Sequence, residues 1–234
     1  MRCFIMGCSA LAIAAGSSHA ALFSFASDRN QDGPTFSALA VNAISDGRSL
    51  DANGVISVDF LADRDNDGPG AAQSVEAQFE FAANITSYQV VAFGGQFIHN
   101  FTISGAFNIV QPGAQPTVIF HAMFNNALFS SFSNSANQLG RSAQIQANDQ
   151  ADPSLMFATG GVLADIDVSD QRDFAFSLSN VQLANGNRVP VSANGITAVP
   201  WSAEGSFSAS AIPAPGVLAL GGLGLIATAR RRRA

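Results

Sequence analysis

Apolar and polar residues alternate along several segments of the chain. In residues 74–81, one valine, one alanine and two phenylalanines fall on one face, with serine, glutamine and two glutamates on the other. Later segments repeat this period of two, with faces made of Phe97, His99, Phe101 and Ile103, of Val118, Phe120, Ala122 and Phe124, and of Phe174, Phe176 and Leu178. Such a period is typical of half-buried β-strands. No long stretch before residue 212 has helical periodicity.

Turn signals separate these segments. The dipeptides that favour tight hairpin turns are Asp46-Gly47, Asn53-Gly54, Asn185-Gly186 and Asn194-Gly195. Antiparallel strands with one polar face predict an all-β fold for residues 21–212, and specifically a single antiparallel β-sandwich of jelly-roll type.

The first 20 residues are predicted to be a signal peptide. Arg2 supplies the positive charge, an apolar stretch covers residues 3–16, and Ser18-His19-Ala20 places small residues before a cleavage site at Ala21. The apolar stretch is too short for a lasting membrane anchor. Both cysteines of the chain lie in this segment, so the mature body is expected to lack disulfides, thiol nucleophiles and cysteine-ligated metals.

The body is acidic. It carries six arginines and no lysine against all 17 acidic residues of the chain, a formal charge of −11. Without a basic stripe it has nothing to hold phosphates, which excludes nucleic acid as a partner. An acidic surface instead attracts divalent cations.

Two similar acidic loops, at residues 28–34 and 63–69, each follow an apolar strand. Oxygen ligands at alternate positions before a glycine can surround a hard cation, so calcium is the candidate cofactor. The candidate ligands are Asp28, Asn30 and Asp32 in the first loop and Asp63, Asp65 and Asp67 in the second. Neither loop has the bidentate glutamate of an EF-hand. The alternative is a solvated turn between strands.

Few other residues indicate chemistry. Asp165, Asp167, Asp170 and Asp173 form an acidic patch, with Asp165 and Asp167 expected on one strand face, either as ligands or, in the favoured interpretation, as solvent-exposed side chains. His99 is expected to be a hydrogen-bonded core residue, and His121 shares a face with Ile119 and Met123. The chain has no nucleophile elbow, zinc-binding helix motif or phosphate-binding loop, so no catalytic activity is predicted.

The C-terminal 22 residues form a separate segment. Pro213-Ala214-Pro215-Gly216 breaks any preceding strand or helix, 13 small or apolar residues follow, and the chain then has four arginines, Arg230, Arg231, Arg232 and Arg233. As a helix the apolar run is roughly 20 Å long, against about 30 Å of hydrocarbon in a bilayer. The positive-inside rule keeps the arginines cytoplasmic and the body outside.

This arrangement resembles the PEP-CTERM sorting tail of bacteria that make extracellular polysaccharide, which combines a proline motif, a Gly/Leu-rich transmembrane helix and an arginine cluster. Pro213-Ala214-Pro215 stands where the family has Pro-Glu-Pro. The resemblance covers about a tenth of the chain. It implies an exosortase as processing enzyme, cleavage near the prolines, a transient membrane anchor, and delivery to the cell envelope or matrix. The other interpretation is an ordinary tail anchor.

The sequence therefore predicts an exported, tail-sorted structural or adhesive protein of the cell surface or extracellular matrix, without catalytic activity. Its expected partners are the export machinery, the processing enzyme and extracellular polysaccharide. The alternative is a secreted carbohydrate-active enzyme or glycan-binding module with the same tail. Because Trp201 and Tyr88 are the only tryptophan and tyrosine, the 19 phenylalanines are expected in the core rather than on a sugar-stacking platform.

Overall fold

The protein is described from a computed structural model, which describes residues 21–26, 36–38, 49–63, 73–193, 195–197 and 201–212. These residues form strands β1 (Ala21–Ala26), β2 (Phe36–Ala38), β3 (Ser49–Asp63), β4 (Gln73–Phe93), β5 (Gln96–Gln111), β6 (Thr117–Ser133), β7 (Ala143–Asn148), β8 (Met156–Thr159), β9 (Asp170–Leu183), β10 (Val191–Ser192), β11 (Gly195–Ile196) and β12 (Trp201–Ile212). The helical content of these ranges is one 3-10 turn, Gly161–Leu163. The prediction of an all-β protein is confirmed.

The predicted end segments, 1–20 and 213–234, lie outside the described residues. Within the described part, no helix has the length and apolar character needed to cross a membrane.

Ten of the described strands form one antiparallel sheet that closes on itself, and β10 and β11 form a separate two-stranded sheet. Hydrogen-bonded neighbours follow the order β1-β3-β4-β5-β6-β7-β9-β12, and β12 pairs in turn with β1 from Ala21↔Ala211 to Ala26↔Ser206. β2 pairs with residues 201–203 of β12, on the same side of β12 as β1. β8 pairs with β6. The first and last strands of the described chain are therefore neighbours.

The interior is filled with phenylalanine. The alternating faces predicted for β4 and β9 are buried as expected, namely Val75, Ala77, Phe79, Phe81, Phe174, Phe176 and Leu178. Rings meet across the interior from strands that are not paired: the ring centroids lie 5.2 Å apart for Phe79 and Phe176, and 4.7 Å apart for Phe23 and Phe120. Removal of these rings from water contributes to the hydrophobic driving force for folding.

Two predictions are wrong because the strands bulge. Val118 was expected on the buried face of Phe120 but is 44% exposed, since the pairing passes from Ile109↔Phe120 to Val110↔Val118 and leaves Ile119 as an extra buried residue. The Asn53-Gly54 dipeptide lies inside β3, where the register with β4 shifts, and makes no hairpin turn.

The turns agree with the sequence only in part. Gly186 has a φ of +79° and its N–H donates to the Leu183 carbonyl in the predicted turn after β9. Asp46-Gly47 and Asn194 lie outside the described residues. The two-residue hairpin between β4 and β5 was not predicted. Gly94 and Gly95 have φ of +59° and +79°, as a two-residue type I′ turn requires.

Candidate functional site

Five of the six predicted calcium ligands lie outside the described residues. Asp63 is the last residue of β3, is buried, and pairs with Leu22 of β1 in the ladder. In the described part of the chain, no group of three or more His, Cys, Asp or Glu side chains is arranged to hold a metal ion. Calcium binding by the two loops therefore stays a prediction.

The second acidic patch is placed differently from the expectation. Asp165 and Asp167 lie in the loop between the 3-10 turn and β9 rather than on a strand. Both are exposed, and Asp167 Oδ1 accepts a hydrogen bond from the Ser169 N–H. This loop lines an open depression of about 460 Å³. Asp170 and Asp173 lie in β9, where Asp173 accepts hydrogen bonds from the N–H and hydroxyl of Ser210.

His99 is a buried structural residue, as expected. Its Nε2 lies 3.0 Å from the Ser135 carbonyl oxygen, which can only accept, so Nε2 carries the proton. Nδ1, 2.9 Å from the Tyr88 hydroxyl, then accepts from the phenol. Burial raises the pKa of Tyr88, which keeps that hydroxyl protonated. The pair joins β4 and β5 to the segment after β6.

His121 belongs to a polar row on the outer face. Its Nδ1 donates to Asn108 Oδ1 over 2.6 Å, and Asn108 Nδ2 donates to Glu80 Oε2 over 3.4 Å. The amide separates the histidine from the carboxylate. The row is therefore not the direct carboxylate–histidine pair that orients a general base in nucleophilic catalysis.

Asp152 is a fully buried carboxylate that the sequence analysis missed. Its Oδ2 accepts the backbone N–H groups of Asn125 and Asn126 at 2.7 and 2.8 Å, and its Oδ1 accepts the Ser154 hydroxyl and N–H. Burial alone would raise the pKa of Asp152, but these hydrogen bonds lower it below its usual value. The sequence signal was Asp152-Pro153-Ser154, an Asx-turn pattern.

A shallow polar groove crosses the outer face of β7, β9 and β12. It has a volume of about 330 Å³ and is lined by Gln146, Asn148, Asp173, Ala175 and Ser208. Gln146, Ala175 and Ser208 are neighbours across the three strands, and the small alanine between the longer side chains creates the hollow. Amide, hydroxyl and carboxylate groups can donate to and accept from a hydroxyl-rich ligand. The groove contains one acidic side chain and no aromatic platform.

Comparison of the chain with known protein families, characterised proteins and solved structures finds no match.

Proposed function

We propose that the protein is an exported, tail-sorted structural or adhesive component of the cell surface or extracellular matrix, without catalytic activity. The PEP-CTERM-like tail supplies sorting by an exosortase-type enzyme, and the body supplies adhesion. The body is a two-layer sandwich in this proposal. Ring contacts between β4–β6 on one side and β9, β12 and β1 on the other support a flattened closed sheet.

The outer face of β7, β9 and β12 is the observation that carries the adhesive part. It presents short polar side chains, chiefly serine and glutamine, around the polar groove. Neutral amides and hydroxyls bind sugar hydroxyls through hydrogen bonds, with little dependence on salt. Extracellular polysaccharide is therefore the proposed partner.

A glycan-binding module is the second candidate function, and the same groove favours it. The carbohydrate-active enzyme has less support. Glycoside hydrolysis uses one carboxylic acid that remains protonated near neutral pH, which requires shielding from water. Asp165 and Asp167 share a depression but are both exposed, and the polar groove holds only Asp173.

Intact-mass measurement on protein from the native host tests the sorting part. We expect a mature chain that begins at Ala21, ends between residues 212 and 216, and lacks the arginine cluster. Chains that still end at Ala234 would exclude sorting and leave a tail-anchored surface protein.

Co-sedimentation with the host's extracellular polysaccharide tests adhesion. The double variant Gln146→Ala, Ser208→Ala removes two groove side chains and should weaken binding at least about tenfold, which corresponds to about 1.4 kcal/mol. The control variant Ser74→Ala, Gln78→Ala removes the same residue types from the outer face of β4, away from the groove, and should bind like the wild type. Equal binding by both double variants would exclude this groove as the adhesive site.

A further inference from the structure

The β4–β5 hairpin ends in a tip, made of residues 87–98 and the adjoining β6 residues 130–133. β3 pairs with β4 only as far as Ser49↔Asn84, whereas β5 continues to pair with β4 up to Phe93↔Gln96. Among the described strands, none pairs with the other side of β4 from Ser87 to Phe93. Within the part of the chain that the structure describes, this stretch of β4 is therefore an edge without a ladder partner, and β11 contacts β4 without pairing with it.

The edge presents backbone hydrogen-bonding groups in a defined pattern. The β4–β5 hairpin has a two-residue turn, so Phe93 and Gln96, which flank the turn, exchange backbone hydrogen bonds. From there along the tip, every second pair of β4 and β5 residues does the same. The intervening residues Tyr88, Val90 and Ala92 therefore direct their N–H and C=O groups away from β5. Such a row is a template for another strand.

The outer face of the tip is apolar and reaches this edge. Val91 pairs with Ile98, and Ile98 pairs with Phe132, which places three apolar side chains side by side across three strands. Phe93 is 75% exposed and Phe132 is 59% exposed, in contrast to the buried phenylalanines of the core. An apolar patch of this kind marks an interaction surface.

The tip also lacks the usual protection of an edge strand. No Asp, Glu, Lys or Arg lies between Glu80 and Arg141, and no proline interrupts β4. Charged residues and prolines are the devices that normally prevent edge-to-edge pairing. An acidic chain with a neutral, apolar edge can therefore bring two such edges together without like-charge contacts at the interface.

We propose that two copies of this chain pair through their β4 edges, antiparallel, about a two-fold axis at Val91. In this register Val91 lies opposite its own copy, and Gln89 of each chain lies opposite Phe93 of the other. The apolar row Phe132, Ile98, Val91 is thereby doubled into one continuous row. A two-fold axis makes the interface self-complementary, since the same patch serves on both sides.

A second copy satisfies the edge better than a lipid surface does. Insertion into hydrocarbon would bury the apolar side chains but would leave the outward N–H and C=O groups of Val90 and Ala92 without partners, at a cost of several kcal/mol each. A paired strand satisfies both requirements. The pairing does not depend on export, sorting or glycan binding.

Analytical ultracentrifugation of protein purified from its host tests the association. We expect a concentration-dependent dimer that tightens with added salt, because salt screens the repulsion between two acidic bodies.

Val91→Lys places two like charges opposite each other and should raise the dissociation constant more than about tenfold. Phe93→Lys, at a highly exposed position, should also weaken the dimer. Met123→Lys, on the outer face of β6 opposite Ala106, is the matched control and should dimerise normally.

Hydrogen exchange identifies what covers the edge. In the proposed dimer, the amides of Val90 and Ala92 become protected as the protein concentration rises, and Val91→Lys abolishes this protection. Protection that is the same at all concentrations would mean that another part of the same chain covers the edge. Protection that appears only with lipid vesicles would mean a membrane surface. Either of these results, or a wild-type protein that is monomeric at all concentrations, overturns the proposal.

Discussion

At the scale of single residues, Asp152 shows how one carboxylate makes an irregular strand possible. The pairing of β5 with β6 shifts between Ile103↔Ala127 and Gly105↔Phe124, which leaves Asn125 and Asn126 as a bulge. A bulge removes backbone N–H groups from the ladder, and a buried unpaired N–H is costly. Asp152 accepts both of them with one oxygen and fixes its own turn with the other. Its role is structural.

Replacement of Asp152 by asparagine should lower the free energy of unfolding by about 2 kcal/mol at pH 7, because one acceptor oxygen and the charge on the hydrogen bonds are lost. Urea unfolding measures the difference. Asp167→Asn is the control, since Asp167 is exposed and accepts a local hydrogen bond from the Ser169 N–H. This variant should change stability by less than about 0.5 kcal/mol.

The stability difference between the wild type and Asp152→Asn should also depend on pH, with a defined sign. The folded-state pKa of Asp152 is lowered, so its stabilising contribution is complete above the unfolded-state pKa of about 3.9 and is lost as the pH falls through the folded-state value. The stability difference between wild type and Asp152→Asn should therefore be constant above about pH 5 and should shrink below about pH 4. A difference that grew on acidification would contradict this role.

At the scale of elements, the sequence predicts strand faces well and their irregularities poorly. Alternation identifies the buried faces of β4 and β9 because it depends only on neighbouring residues. The bulge that exposes Val118 depends on how β6 pairs with β5, which the sequence of β6 alone does not contain. The Gly94-Gly95 turn did have a local signal, since paired glycines accept the two positive φ angles of a type I′ turn.

At Gly105, β5 lies very close to the backbone of β4. A Cβ at this position would lie 2.6 Å from the Cα of Ala83 and closer still to the carbonyl oxygen of Ala82, and neither backbone atom can move away cheaply. Gly105→Ala should therefore lower the free energy of unfolding by at least about 2 kcal/mol.

Gly113→Ala provides the matched control for this substitution. Its Cβ would meet only the Gln115 carbonyl oxygen at 3.8 Å, an ordinary contact. Thermal unfolding should show a lower Tm for Gly105→Ala and an unchanged one for Gly113→Ala. Equal Tm values for the two variants would mean that β4 and β5 can separate locally at little cost.

The acidic loop that follows β3 gives a prediction about a ligand. If Asp63, Asp65 and Asp67 bind calcium, the affinity should lie in the extracellular range of roughly 10⁻⁴ to 10⁻³ M. Excess calcium would then raise the Tm of the wild type, because the ion binds the folded loop. Asp65→Ala should abolish this increase, while magnesium should produce little effect. A wild-type Tm that calcium leaves unchanged would support the solvated-turn alternative.

At the scale of the whole molecule, the closure of the sheet is the feature that sequence patterns could not predict. β1 and β12 are the first and last strands of the described chain, yet they pair along six residues. Alternation predicts that each strand has a buried face, but it does not say which strands are neighbours. The polar groove was not predicted for the same reason, since β7, β9 and β12 become adjacent only in the folded sheet.

The phenylalanine interior joins the two sides of this closed sheet, and Phe107 lies at its centre. Its ring centroid lies 5.2 Å from that of Phe174 and 5.1 Å from that of Phe176 on β9, and 5.2 Å from that of Phe207 on β12. The ring also contacts Phe79 on β4 and Phe120 on β6, the two strands that pair with β5. Phe107→Ala should lower the free energy of unfolding by about 3–5 kcal/mol, because it removes buried apolar area and leaves a cavity that rigid strands cannot close. Phe93→Ala is the same change at an exposed tip position and should alter the stability of the monomer by less than about 0.5 kcal/mol. Denaturant unfolding at a concentration where the wild type is monomeric compares the two variants. A small decrease in the free energy of unfolding for Phe107→Ala would show that the two sides of the sheet can move together to fill the cavity. That result would contradict a rigid closed sheet.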